Sequence, residues 1–255
     1  MRINEPVMIM VKTVTRVTLD RLGFLPYARK IQRYFFSRRQ NRLTLKEIAA
    51  IYTSHYHEMA SYGSSKETSS WESDEIIKLA HAKAIIQVLP HIKKILVGGC
   101  SSGMGVLAFR KLGLDAWGFE ISPDLDRIVI PEVKAYIRPG SMMDIPFAAR
   151  DNFDCLLTTD VLEHVQLKDI KRIVGEMVRL NCQYMAHLIN HTAMTPDHMT
   201  LKPSKWWANQ VHPYYRLRSD LHAPETGNPR IYGLNGDPLH VYTFWERTVN
   251  KPFSY

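Results

Sequence analysis

Asp160, Glu163 and His164 stand at i, i+3 and i+4 in the chain, a spacing that turns two carboxylates and an imidazole to one face of a helical turn. Such a face can hold a hard divalent ion. With no ion the imidazole can act as a general base, kept near neutral pKa by its acidic neighbours. The same triplet can also simply fasten a turn. Further upstream, Val97 to Gly105 reads VGGCSSGMG, with Gly99, Gly103 and Gly105 as points where backbone can approach a ligand closely. Glu120 lies 17 residues after Gly103, where an acid can accept hydrogen bonds from both hydroxyls of an adenosyl ribose. Gly140 to Phe147, GSMMDIPF, offers hydroxyl and thioether groups suited to flank an adenine ring, though methionine more often fills a core.

These residues need a frame that brings them together, and the pattern predicts one. Thr44 and Glu47 form a capping box for a helix whose apolar positions continue to Met59, and Ser73 caps a second helix that stops at Pro90. Strand-like runs follow at Lys94 to Val97, Ala116 to Glu120, Val133 to Ile137, Phe153 to Thr158 and Tyr184 to Ile189. Helical runs fall at Met104 to Leu112 and around Ile170 to Val178. Alternation of this kind predicts an α/β, doubly wound parallel sheet. Leu239 to Trp245, after the turn signal Leu234 to Asp237, predicts a terminal antiparallel hairpin.

The chain has 255 residues, 45% hydrophobic, and a net charge of +8. The basic residues from Lys12 to Lys46 are opposed by Asp20 alone, and interleaved apolar residues make this arm amphipathic. It suits a nucleic acid, a phosphate-bearing substrate, a membrane face, or packing on the main domain. The reading divides the chain into a basic helical arm and lid over 1–70 and a catalytic domain over 71–255, with 191–230 as a substrate-side insertion. Cys100, Cys155 and Cys182 lack metal-ligand spacing and read as reduced thiols, and no signal or membrane span is seen, so a cytoplasmic protein is expected. His187, His191 and His212 read as isolated histidines. Trp206, Trp207, Tyr214 and Tyr215 read as a stacking wall or as the packing of a C-terminal subdomain.

In order and spacing, ILVGGCSSG, WGFEIS, GSMMDIPF and FDCLLTTDVLEHV resemble the class I methyltransferases over about residues 74 to 190. The resemblance implies a Rossmann-like, seven-stranded, mostly parallel sheet with a terminal antiparallel hairpin and an N-terminal helical extension. It also implies S-adenosylmethionine held by Gly99, Cys100, Ser101, Gly103, Glu120, Ile121, Ser141, Met142 and Asp160. The family's usual acid before the loop is Val97 here, a usual loop glycine is Ser101, and the adenine-side acid is Ser141, with Asp144 nearby.

The last of these segments also resembles metal-dependent small-RNA 2′-O-methyltransferases and ubiquinone-pathway O-methyltransferases, which carry Glu-x-x-Glu-His at this place. The RNA enzymes add an Asp-His pair upstream of a tryptophan, matched by Asp197-His198 upstream of Trp206. The resemblance implies a divalent cation, Mg or Mn, on Asp160, Glu163, His164 and His198, or catalysis by Asp160, His164 and His198 themselves. The expected function is O-methylation of a hydroxyl on a sugar, glycan or nucleotide-linked small molecule. RNA 2′-O-methylation, N-methylation and a non-catalytic binding scaffold stand as alternatives.

Overall fold

Side-chain alternation decides the layers. In β1 (Lys94–Gly98), Ile95 and Val97 enter one apolar cluster and Leu96 the other, all buried, as a strand covered on both faces requires. The structure, a computed structural model, describes residues 43–54, 56, 71–189, 198–223 and 242–248. The chain divides into two compact units, Met1–Leu43 and Thr44–Tyr255. All described residues but Leu43 belong to the second, and the basic arm before residue 43 lies outside them.

The second unit is built on seven strands: β1, β2 (Asp115–Glu120), β3 (Ile137–Pro139), β4 (Cys155–Thr159), β5 (Tyr184–Leu188), β6 (Tyr215–Leu217) and β7 (Tyr242–Arg247). Their order is β3-β2-β1-β4-β5-β7-β6. The first five run parallel, while β7 is antiparallel to both β5 and β6. Helices bounded within the described residues include α1 (Leu45–Ala49), α2 (Trp71–Val88), α3 (Met104–Lys111), α4 (Leu125–Ile128), α5 (Ile170–Leu180) and α6 (Ser204–Val211). Ile85 of α2 and Phe109 of α3 pack into one face of the sheet; Ile173 and Met177 of α5 and Trp207 of α6 pack into the other. Strand order reverses between β1 and β4, which opens a crevice at the carboxyl ends of those strands.

The sheet is the predicted one, with local differences. Val133 lies in a 3₁₀ turn, Pro131–Tyr136, and the strand begins only at Ile137. Pro131, with its fixed φ and missing N–H, starts that turn. Helix α2 begins at Trp71, so Ser73 lies inside its first turn rather than capping it. The capping box at Thr44 and Glu47 is present, but α1 ends at Ala49 instead of running on to Met59. The antiparallel partner of β7 on its outer side is β6, a strand the pattern did not single out, and the turn signal Leu234 to Asp237 falls outside the described residues. Among the described residues no helix is long and apolar enough to cross a membrane.

Two buried features of this frame can be tested. Gly103 ends the cofactor loop at φ 85°, and a Cβ there would lie 2.5 Å from Ile137 Cδ1 and 2.7 Å from Val133 Cγ2. Gly103→Ala should therefore cost about 2–4 kcal/mol from left-handed strain and overpacking, read as a lowered denaturation midpoint in urea. His187 is fully buried between Thr158, whose hydroxyl lies 2.6 Å from Nδ1, and Trp245, and its Nε2 has no partner among the described residues. Burial lowers its pKa from 6.5 to about 3. Between those values the unfolded chain takes up a proton that the folded one does not, so stability falls as pH falls through this window. His187→Gln should flatten that slope by up to about 1.4 kcal/mol per pH unit, measured by denaturation at pH 7, 5.5 and 4.

Candidate active site

A cavity of about 670 Å³ lies along the carboxyl ends of the strands, lined by the β1 loop, Glu120, the loop after β3 and the end of β4. It is within the size range of a small-molecule site, roughly 300–1,000 Å³. Glu120 is buried at its β2 side. One carboxylate oxygen accepts the N–H of Ser101 at 2.8 Å; the other accepts those of Ile121 at 2.8 Å and Ser122 at 3.1 Å. Three fixed amides aim the group, and the oxygen that accepts Ser101 keeps a lone pair for an outside donor. Ser101 takes φ 50°, so the turn the family makes with glycine is formed by serine, tied down by its bond to Glu120.

Gly99 lies at φ 63°, and a Cβ on it would meet Val161 Cγ2 at 2.6 Å, which brings the β1 loop against the segment after β4. Cys100 also lines the cavity; burial, with Glu120 adding to it, pushes its thiol well above its usual pKa, so it remains an apolar S–H wall. Ser141, Met142 and Ile121 line the cavity as well. Ser141 closes a tight turn with Asp144, and its hydroxyl accepts the N–H of Met143 at 3.2 Å. Asp144 itself is exposed and does not line the cavity, so it does not stand in for the adenine-side acid.

The loop carrying Ser141 and Met142 is clamped from α5. Arg179 donates to the carbonyls of Phe147 at 2.7 Å and Ile145 at 2.8 Å, while Glu176 accepts the N–H of Ile145 at 2.8 Å and pairs with Arg179 at 2.6 Å. Burial would raise the Glu176 carboxyl, but these hydrogen bonds hold it below its usual pKa. The sequence signal was an ordinary helical i, i+3 pair, and nothing in it pointed to the loop.

At the reactive end, Glu163 and His164 sit on a 3₁₀ turn, Leu162–His164, after β4. Glu163 is fully buried, and its backbone carbonyl accepts the N–H groups of Met199 at 2.7 Å and Thr200 at 2.9 Å. The Thr200 hydroxyl donates to the Val165 carbonyl at 2.6 Å. This double tie brings His198 beside His164, with ring centroids 4.5 Å apart. One ligand atom from each of Glu163, His164 and His198 lies within 4.8 Å of the others. Tyr52, edge-on to His164 with centroids 5.9 Å apart, and Tyr56 close this side of the cavity.

Asp160 is not in that cluster. It is an exposed residue at φ 53° that directly follows β4 and lines the cavity; the left-handed backbone, which aspartate tolerates better than most residues, breaks the helical register assumed for the triplet. Gly103 does not line the cavity and serves the turn. Trp207 and Tyr215 are buried in the core and Trp206 is half-buried, and none of these, nor Tyr214, lines the cavity. His212 is exposed. Asp197 and His191 lie outside the described residues.

Comparison with known proteins agrees with this geometry. Residues 96–182 match a family model described as a methyltransferase domain. Among solved structures, a Pyrococcus horikoshii protein is 12% identical with TM-score 0.56, over 76% of this chain and 99% of its own. The 1,6-didemethyltoxoflavin-N1-methyltransferase of Burkholderia thailandensis, which contains S-adenosylhomocysteine, is 12% identical with TM-score 0.55 over 81% and 92%. The magnesium protoporphyrin IX methyltransferase of Synechocystis, also with S-adenosylhomocysteine, is 11% identical with TM-score 0.53 over 79% and 98%. At such identities the likeness is one of fold. No curated protein matches by sequence. Residues 96–182 thus carry a methyltransferase domain, and the sheet around it has the fold of S-adenosylmethionine-dependent methyltransferases.

The residues present fit the cofactor: Glu120 is a buried, amide-held carboxylate that could accept from a ribose, the glycine turn leaves the cavity open, and Ser141 and Met142 line it where they could flank an adenine. Because Arg179 holds that loop, Arg179→Met should weaken S-adenosylhomocysteine binding about tenfold and cost about 2–4 kcal/mol of stability, measured by titration calorimetry and urea denaturation. Unchanged affinity would detach the clamp from the site.

Proposed function

We propose that the enzyme O-methylates a hydroxyl of a sugar, glycan or nucleotide-linked small molecule, with a divalent ion at Glu163, His164 and His198. The gathering of two imidazoles and a carboxylate at the end of β4, beside the cofactor cavity, carries this reading. S-adenosylmethionine supplies an electrophilic methyl group on a sulfonium, so the acceptor oxygen has to be oriented and relieved of its proton. A divalent ion on these three groups would lower the pKa of one acceptor hydroxyl and hold a neighbouring oxygen beside it. Donors around one ion at about 2.1 Å stand about 3 to 4.2 Å apart, so the 4.8 Å grouping needs only small side-chain rotations to close. An imidazole-rich set suits Mn²⁺ better than Mg²⁺.

The chain's own residues do the positioning. The carbonyl of Glu163 fixes the segment that bears His198, while Tyr52 and Tyr56 line the cavity on the His164 side, where the acceptor would enter. As the acceptor's O–C bond forms, the C–S bond breaks with its electron pair left on sulfur, and the hydroxyl proton must go to a base. Without an ion, His164 or His198 is placed to take it. The concentration of charge between Lys12 and Lys46 favours RNA as a second acceptor class.

The test is Mn²⁺ calorimetry on the purified protein, paired with transfer of labelled methyl to nucleotide sugars, glycans and RNA. One Mn²⁺ site is expected, weakened at least about tenfold in His198→Ala and in His164→Ala, with transfer lost in parallel. Equal Mn²⁺ affinity in all three proteins would remove the ion from the reading. Salt-sensitive labelling of RNA alone would select the second acceptor.

A further inference from the structure

Val97 poses a problem of charge. The cofactor ends in an amino acid with an ammonium and a carboxylate, yet the β1 residue that lines the cavity nearest the loop is a buried valine. The order of the sheet indicates where that end must lie. The adenine-side residues follow β3 and the ribose acid ends β2, so the rest of the molecule runs on across β1 toward β4. Ribose and β4 are separated by two strand spacings, about 10 Å.

At that place the cavity wall changes from apolar to polar. Thr159 ends β4 and Asp160 follows it; Lys78 and His81 come from α2, three residues apart and so on one helix face; Tyr242 begins β7 opposite Leu188, at the carboxyl end of β5. Tyr242 Oη lies 2.8 Å from His81 Nδ1 and 3.5 Å from Thr159 Oγ1, a chain that ties α2 to β7 and β4. Burial pushes the Tyr242 phenol up, with Asp160 adding to the effect, so the hydroxyl keeps its proton. Lys78 is half-buried, and it forms no hydrogen bond or ion pair with any described residue. A half-buried cation left without a counter-charge at the rim of a cavity is suited to an anionic ligand group.

We propose that Lys78 binds the α-carboxylate of S-adenosylmethionine and Asp160, with Thr159, its α-ammonium, the two charges together replacing the acid that Val97 lacks. His81 and Tyr242 are positioning residues that set the height of α2 and thus of Lys78. The proposal rests on the cofactor reading and assigns Asp160 to the cofactor's amino acid, not to a metal.

The test uses two ligands that differ only at this end: S-adenosylhomocysteine, and 5′-methylthioadenosine, which has no amino acid. Lys78→Met and Asp160→Asn should each weaken S-adenosylhomocysteine at least about tenfold, as loss of a charge-assisted bond would, and leave 5′-methylthioadenosine unchanged. His81→Phe should show a smaller loss with the same ligand selectivity. Equal weakening of both ligands, or of neither, would overturn the assignment. If the wild type binds 5′-methylthioadenosine and S-adenosylhomocysteine equally well, no receptor for the amino acid exists here; if it binds neither, the cofactor reading itself falls.

Discussion

One carboxylate organises the cofactor half of this protein. Glu120 collects amides from the loop after β1 and from its own strand end, so the turn that must pass close to the ligand and the acid that must face it are one hydrogen-bonded unit. This explains how the loop accepts Ser101 at a left-handed position: a bond to a buried charge offsets a backbone cost of about 1 kcal/mol. The loop on the other side, after β3, is held by the Glu176–Arg179 pair. Both loops are therefore fastened by carboxylates, one at the end of β2 and one on α5.

The reactive half is assembled differently. Its three grouped side chains come from two segments, one just after β4 and one after β5, and their approach depends on backbone bonds rather than on packing of large side chains. Asp160 illustrates the limit of reading spacing as geometry. An i, i+3, i+4 pattern places groups together only if the helix exists from the first residue, and here a left-handed residue precedes a single 3₁₀ turn. Glu163 and His164 keep company with His198, while Asp160 lines the cavity outside that group.

Much of the frame was legible because buried parallel strands are written as short apolar runs between glycines and helical stripes. β1, β2, β4 and β5 fall within a residue or two of their expected limits. β3 was displaced by a proline turn, and β6 was hidden because three residues carry too little pattern. The four ordered segments were legible as a group, and residues from all of them line one cavity. Lys78, His81 and Tyr242 were not, since they lie far apart in the chain, and only the packing of α2 and β7 at one edge of the sheet brings them together. His198 was accessible only through likeness to other enzymes, because no local spacing connects it to His164.

The Glu163 carbonyl that receives Met199 and Thr200 belongs to the main chain, so it survives any change of side chain at that position. The same residue contributes a carboxylate to the grouped donors. Architecture and chemistry are thereby separated at a single site. A descendant could give up the acid while still delivering a histidine to the same spot, so that one backbone could carry different sets of polar groups there.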